Sequence, residues 1–338
     1  MTDGRRLALA LLSLGALLGV VACTAVFVGS AGLSARAVAS ALTGHAAPES
    51  VESIVTLRLR VPRVIVATLA GGALAVAGVA FQALTRNPLA EPSVLGVTSG
   101  AAFGVILAQI AGLGASVTDT LAAAGCAFAG ALLAAATVYA TAMSSGGLAI
   151  QTLLLAGVIV GIFFSAAITV IISIVDFNRL GGVVHWLLGN VAPVPAGSLT
   201  AFALLAGGGF LLILRSAREL NVLALGEEAA RQLGVDAEAL KRRVFLAAAL
   251  LTGTVVAFTG PIAFVGLVVP HVLRGIVGPD NRVLVPASLL AGGAFLLAAD
   301  TVARNVVAPA ELSVGVITAF CGAPVFIWVL RTRARVLP

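Results

Sequence analysis

The 338-residue sequence is short of charge: Asp, Glu, Lys and Arg together make up 10% of it, where a soluble domain carries about 25%. That leaves too little polar surface to cover a water-soluble globule of this length. Lysine is almost missing. Lys241 is the sole example, and the other basic residues are Arg. A P-loop needs G-x-x-x-x-G-K-[ST] so that backbone amides and a lysine can hold phosphates. Lys241 follows Leu240, so this chain does not bind ATP that way. Cysteine is scarce too. Cys23, Cys126 and Cys321 lie inside apolar runs with no C-x-x-C pair, which argues against a disulfide framework or a cluster and for small core residues. His45, His185 and His271 are far apart and show no metal-ligand spacing. Acid groups that could couple transport to an ion gradient are also wanting. Asp176 and Asp300 fall near the ends of apolar runs, and Glu91 follows a turn. No catalytic constellation, metal site or cofactor motif is expected.

What the chain does have is apolar length. Hydrophobic residues make up 60% of it, and the mean hydropathy is +1.13. It holds 38 glycines and is rich in alanine; small residues let helices approach closely in lipid. The apolar runs are unbroken, unlike the alternating strands of a membrane β-barrel. Ten of them approach the length of a bilayer span: 7–28, 64–84, 94–113, 117–141, 148–175, 199–214, 244–258, 262–277, 284–299 and 314–330. The expected fold is therefore all-α and polytopic, with about ten transmembrane helices. Several runs in the second half are short, and Gly260-Pro261 and Pro270 interrupt them, as happens where helices break around a pathway.

Two features near the start imitate export signals. Arg5-Arg6 precedes an apolar run, and Val20-Val21-Ala22-Cys23 resembles a lipoprotein cleavage site. The run is long for a signal core and continues past Cys23 without a polar tether, so a retained first helix is expected.

Ten spans put both termini on one side. With that side cytoplasmic, Arg5, Arg6, Arg86, Arg215, Arg218, Arg231, Lys241, Arg242, Arg243, Arg274, Arg282, Arg331, Arg333 and Arg335 fall inside. Arg36, Arg58, Arg60, Arg63, Arg179 and Arg304 fall outside. Positive residues accumulate on the cytoplasmic side, and an odd span count would scramble the split. The basic excess is thus read as topology, with a lipid bilayer and not nucleic acid as its partner. Arg63 opens RVIVATLAGGALAVAG and Arg243 opens RVFLAAALLTGTVVAFTG, a weak echo of an inverted repeat. The one sizeable polar stretch, 215–243, has apolar residues spaced for short amphipathic helices, broken at Gly226 and Gly234. It is either a solvated connector or a docking element for a cytoplasmic partner.

Ordered motifs from about residue 57 to 333 resemble one family. They are Leu59-Arg60-Val61-Pro62-Arg63, Gln82-Ala83-Leu84-Thr85-Arg86-Asn87-Pro88-Leu89-Ala90-Glu91-Pro92 and Leu95-Gly96-Val97-Thr98-Ser99-Gly100. Leu155-Ala156-Gly157, Trp186-Leu187-Leu188-Gly189 and Leu223-Ala224-Leu225-Gly226-Glu227-Glu228-Ala229-Ala230 follow. The series ends with Gly260-Pro261-Ile262-Ala263-Phe264-Val265-Gly266-Leu267-Val268-Val269-Pro270-His271 and Gly322-Ala323-Pro324. On these motifs the chain resembles the FecCD-type permease subunits of iron-chelate and vitamin B12 ABC importers.

The resemblance implies a type II ABC importer permease: one transmembrane permease domain over residues 1–338, with 215–243 as a cytoplasmic coupling loop within it. It implies a homodimer in the bacterial inner membrane, two separate ATP-binding subunits and a periplasmic substrate-binding protein. The chain itself would be a non-catalytic transport subunit without a cofactor. The cargo would be a ferric siderophore or haem, with cobalamin the alternative; an ion-coupled secondary transporter is a further alternative, and an assembly factor is disfavoured by the broken helices and outer arginines. Arg60, Arg63 and Arg304 match outward arginines that look like docking points for acidic residues on the binding protein. Asn87, Pro88 and Leu89, with Ile150 and Gln151, match segments that close the path on the cytoplasmic side. Leu225, Gly226, Glu227, Glu228, Ala229 and Ala230 match the loop that couples to the ATPase. Ile150-Gln151 departs from the small hydroxyl residues usual there, and Gly189-Asn190 stands where many relatives have Gly-Ser. The ending Gly322-Ala323-Pro324-Val325-Phe326-Ile327-Trp328 is nearer the vitamin B12 branch.

Overall fold

The computed structural model describes residues 3–113, 117–144, 147–174, 184 and 186–334. Asp176, Arg179, His185 and Arg335 lie outside the described residues. The order is α1 (Asp3–Phe27), α2 (Ala35–Leu42), α3 (Val51–Thr85), α4 (Val97–Ile110) and α5 (Val117–Ala142). A two-stranded antiparallel ribbon, β1 (Met143–Ser144) and β2 (Gly147–Leu148), leads into α6 (Ile150–Ile174). Then come α7 (Ala196–Leu223), α8 (Glu227–Gln232), α9 (Ala237–Thr259), α10 (Val265–Val277), α11 (Asn281–Asn305) and α12 (Val314–Ala334).

Seven of these helices, α1, α3, α5, α6, α7, α9 and α11, are long and apolar enough to cross a membrane. Three shorter apolar helices, α4, α10 and α12, complete the set. Each of the ten expected runs falls on one of these ten helices. The core sits where α3, α9 and α11 meet, since these three spans are the most buried. Glycines allow the approach. A Cβ on Gly71 would strike the Gly292 carbonyl of α11, and one on Gly78 would strike the Gly266 carbonyl of α10. Gly100 of α4 and Gly130 of α5 meet in the same way. The two echo segments, on α3 and α9, pack against each other.

Three details differ from the expectation. First, α7 does not stop at 214 but runs to Leu223, because Ile213, Ser216, Ala217, Leu220 and Leu223 form a buried stripe at helical spacing. The polar stretch 215–243 is therefore mostly helix, with short links at 224–226 and 233–236. Second, α3 begins with a π-helical stretch, Ile54–Arg60, which lets an extra residue into the turn. Third, the span 262–277 is helical only from Val265. Thirteen residues rise about 20 Å, short of a bilayer core of about 30 Å, so residues 260–264 cover part of the depth without helix. Their polar backbone is tolerable only because protein surrounds it.

Candidate functional site

The arginines of one end converge. On α3, Arg63 donates through Nε and Nη2 to Asp300 of α11 at 3.0–3.2 Å, and through Nη1 to Glu311 at 2.8 Å. On α11, Arg304 Nε lies 3.1 Å from Asp300 Oδ2, one turn away, and its Nη2 donates to Ala25 O at 3.3 Å. Arg60 Nη1 donates to Val26 O and Phe27 O at 2.8 and 3.2 Å. The last carbonyls of a helix have no partner within it, so Arg60 and Arg304 together close the end of α1. Asp300 is fully buried, and Arg60 and Arg304 are 5% and 4% exposed. A buried charge must be paired, and here one carboxylate serves two guanidiniums. A cavity of about 240 Å³ opens beside Gly29, Arg60, Arg63, Pro193, Arg304 and Glu311. The structure thus brings Arg60, Arg63 and Arg304 together. Asp300 is readable from sequence only as a partner of Arg304, four residues on; nothing in the sequence points from Arg63 to Asp300, 237 positions away, or to Glu311.

At the opposite end of α3 the chain turns at Arg86, a non-glycine residue in the left-handed region with φ 50. Asn87 Oδ1 accepts the Leu89 N–H at 3.0 Å and holds the turn. The segment then folds back against α6, where Gly157 receives the Val94 carbonyl at a distance no Cβ would permit. Asn87, Leu89, Glu91, Gln151 and Leu155 line one groove of about 460 Å³. Pro88 and Ile150 are next to its lining residues in sequence, so the structure gathers both halves of the expected gate. A second groove, of about 570 Å³, shares Val94 and Val158 with the first and runs along α6 past Ser93, Ser99, Ser165 and Thr169. Glu91 does more than follow a turn. Its Oε1 accepts the Phe264 N–H at 2.8 Å, at the broken start of α10, where the helix dipole favours a carboxylate.

The short helix α8 stands at this same end. Gly226, at φ +113, reverses the chain between α7 and α8, a conformation open to glycine and costly for other residues. Leu225 and Leu233, on either side of α8, are 70% and 62% exposed, whereas Ala230 is buried beneath it. Glu228 points outward, and Glu227 turns inward to Lys241 Nζ at 3.2 Å. A Cβ on Gly226 would lie in contact with the Arg86 guanidinium, so α8 abuts the Arg86 turn. The link from α11 to α7 is also local to this end. Asn221 Nδ2 donates to Asp280 at 2.6 Å, and its Oδ1 accepts the Asn281 N–H at 2.8 Å. Hydrogen bonding from the Arg282 side chain holds the Asp280 carboxyl down to about 2.

Comparison with known proteins agrees with this arrangement. The profile of the FecCD transport family matches residues 17–332. The chain is 42% identical over 286 residues to the cobalamin import system permease protein BtuC of Halobacterium salinarum, covering 85% of this chain and 75% of that one. It is 40% identical over 282 residues to the hemin transport system permease protein HmuU of Yersinia pestis, covering 82% and 84%. It is 38% identical over 328 residues to the iron(3+)-hydroxamate import system permease protein FhuB of Bacillus subtilis, covering 97% and 82%. A solved structure described as an inward-facing conformation of a proposed metal-chelate type ABC transporter superposes with a TM-score of 0.83 at 30% identity. It covers 96% of this chain and 99% of its own. The sequence motifs, the ten apolar helices and these matches lead to one conclusion: the chain belongs to the FecCD transport family.

Proposed function

We propose that the chain is the membrane-spanning permease of an ABC importer that carries an iron chelate, a ferric siderophore or haem, from the periplasm to the cytoplasm. It works as a homodimer with two ATP-binding subunits and a periplasmic binding protein, and both its termini are cytoplasmic. The observation that carries the reading is the pairing at one end of the molecule. Leu225 and Leu233, exposed on either side of α8, stand where the Gly226 turn meets Arg86, the residue before Asn87 of the groove that Leu89 and Gln151 also line. A chain without a P-loop needs its energy delivered from outside, and a small helix with exposed leucines suits a groove on a partner.

Cobalamin is the second reading, favoured by the 42% identity to a cobalamin permease and by the sequence around Gly322. The ion-coupled reading loses ground because Asp300, the one fully buried carboxylate among the described residues, is already neutralised by Arg63 and Arg304. The homodimer is supported by α6, which leaves Leu155, Ile159, Ile162 and Phe163 exposed beside the hydroxyl-lined groove.

Docking of the binding protein falls on the face of the Arg60, Arg63 and Arg304 cluster, where Arg60 and Arg304 are buried and the cavity of about 240 Å³ beside Arg63 and Glu311 gives access. Arg63 is held by Glu311, whose side chain is 38% exposed. An incoming carboxylate must displace Glu311, so Glu311→Gln should tighten binding-protein association by about tenfold at low salt. Surface plasmon resonance checks it; unchanged or weaker association removes the claim. The cargo is identified by assaying the cognate binding protein against haem, ferric siderophores and cobalamin, then measuring uptake of the bound compound by the reconstituted complex. Uptake of none of them overturns the metal-chelate reading.

A further inference from the structure

The single lysine of the chain is not at the surface. Lys241, in the first turns of α9, is 3% exposed, deep for a residue that is almost never buried unless paired. Its ammonium has three donors and meets three acceptors. They are Glu227 of α8 at 3.2 Å, the Leu148 carbonyl of β2 at 2.9 Å, and Glu238 one turn back on α9. Glu238 in turn accepts the Leu148 N–H at 2.7 Å. Both peptide groups of Leu148 are therefore clamped by one ion pair. Gly147 makes the closeness possible, because the Glu238 carboxylate occupies the place a Cβ would take. Leu148 stands two residues before Ile150, where α6 begins and the groove lined by Gln151 starts.

We infer that Lys241 is the positioning residue that ties the coupling helix α8 to the gate at the start of α6. The inference rests on the reading of α8 as the element moved by the ATPase. The other ion pair of Glu227, with Arg231, spans 3.9 Å to a largely exposed guanidinium, is weak in water and stays within α8. The Lys241 connection is shielded, and its three partners come from three different elements. Moving α8 without moving β2 would strip an acceptor from a buried ammonium, which is costly. The two elements must shift together or the clamp must break.

The test uses the complete complex in proteoliposomes, with the ATPase, the binding protein and the metal chelate that it binds. Two quantities are read: chelate moved per ATP, and the ATP-dependent change in labelling of a cysteine placed at Gln151. Glu227→Ala frees α8 but leaves the Lys241–Glu238–Leu148 clamp to hold the fold. Lys241→Met removes the whole link. Chelate per ATP should fall about tenfold or more in both variants, and Lys241→Met, away from the ATPase-facing residues, should keep ATP hydrolysis within about twofold. The labelling change at 151 should disappear, and the double variant should be no worse than Lys241→Met alone. Glu227→Ala with normal chelate per ATP and a normal labelling change overturns the link, even if Lys241→Met fails to assemble. Wild-type uptake that needs no ATP overturns the functional reading beneath it, and that outcome is distinct from the first.

Discussion

At the residue scale, the molecule turns on a few buried charges that the sequence scatters widely. Asp300 is the sharpest case. Replacing it by Asn leaves Arg304 without a carboxylate and Arg63 with Glu311 alone, and breaking a buried pair costs about 3–5 kcal/mol. Asp300→Asn should therefore unfold at a markedly lower denaturant concentration in detergent, and an unshifted midpoint would show that the cluster does not hold α3 to α11. Asp280 makes a claim about pH. Its carboxyl is lowered from 3.8 to about 2 in the folded chain, so the stability it adds is complete above 3.8 and is lost as the pH falls toward 2. Asp280→Asn keeps the helix cap and removes the charge. The wild type should exceed it in stability at neutral pH, and the two should converge near pH 2; a constant difference over that range would contradict the assignment. The positive-inside tally put Arg60, Arg63 and Arg304 on one side together, and the structure brings those three together. The sequence hid the acids of Arg63: Asp300 stands one turn before Arg304, but nothing local to Arg63 points to a partner 237 positions away. Lys241 was legible only as a missing P-loop lysine, since its burial depends on β2 and α8 closing over it.

At the element scale, apolar length was enough to find the ten apolar helices, seven of them long enough to cross a membrane, and small residues were enough to foretell close packing. Their ends were less readable. α7 outruns its apolar stretch because a buried stripe persists among polar neighbours from Ile213 to Leu223. The break before α10 was visible in Gly260-Pro261, but its support was not. Glu91, a loop residue by sequence, holds the Phe264 amide, and Phe264 itself sits at φ 69, a strained conformation for a side-chain-bearing residue. Glu91→Ala should release that end: amides over 265–269 should exchange about tenfold faster, a loss of about one hydrogen bond to a charged group. Hydrogen exchange followed by mass spectrometry checks this, and unchanged protection would show that packing alone sets the break. The groove proposed as a gate is lined from two motifs, around Asn87 and around Ile150-Gln151, and only the fold-back held by Gly157 puts them on one surface.

At the scale of the whole molecule, the two ends have different work. One end gathers Arg60, Arg63, Arg304 and their acids around the closed end of α1; the other gathers α8, the Arg86 turn, the ribbon and the start of α6. Between them, the grooves along α6 are lined by small, hydroxyl and apolar side chains, without a free carboxylate at depth among the described residues apart from the capping Glu91. Such a lining suits the proposed chelate, since it gives weak contacts, and offers an ion gradient no coupling site. On the proposed reading the energy enters through α8. The most direct test is uptake of the chelate into proteoliposomes holding this chain, with and without the ATPase subunits, the binding protein and ATP. Uptake is predicted only when all are present, and to stop when ATP is replaced by a non-hydrolysable analogue. Uptake by the isolated chain, driven by a proton or sodium gradient, would contradict the account.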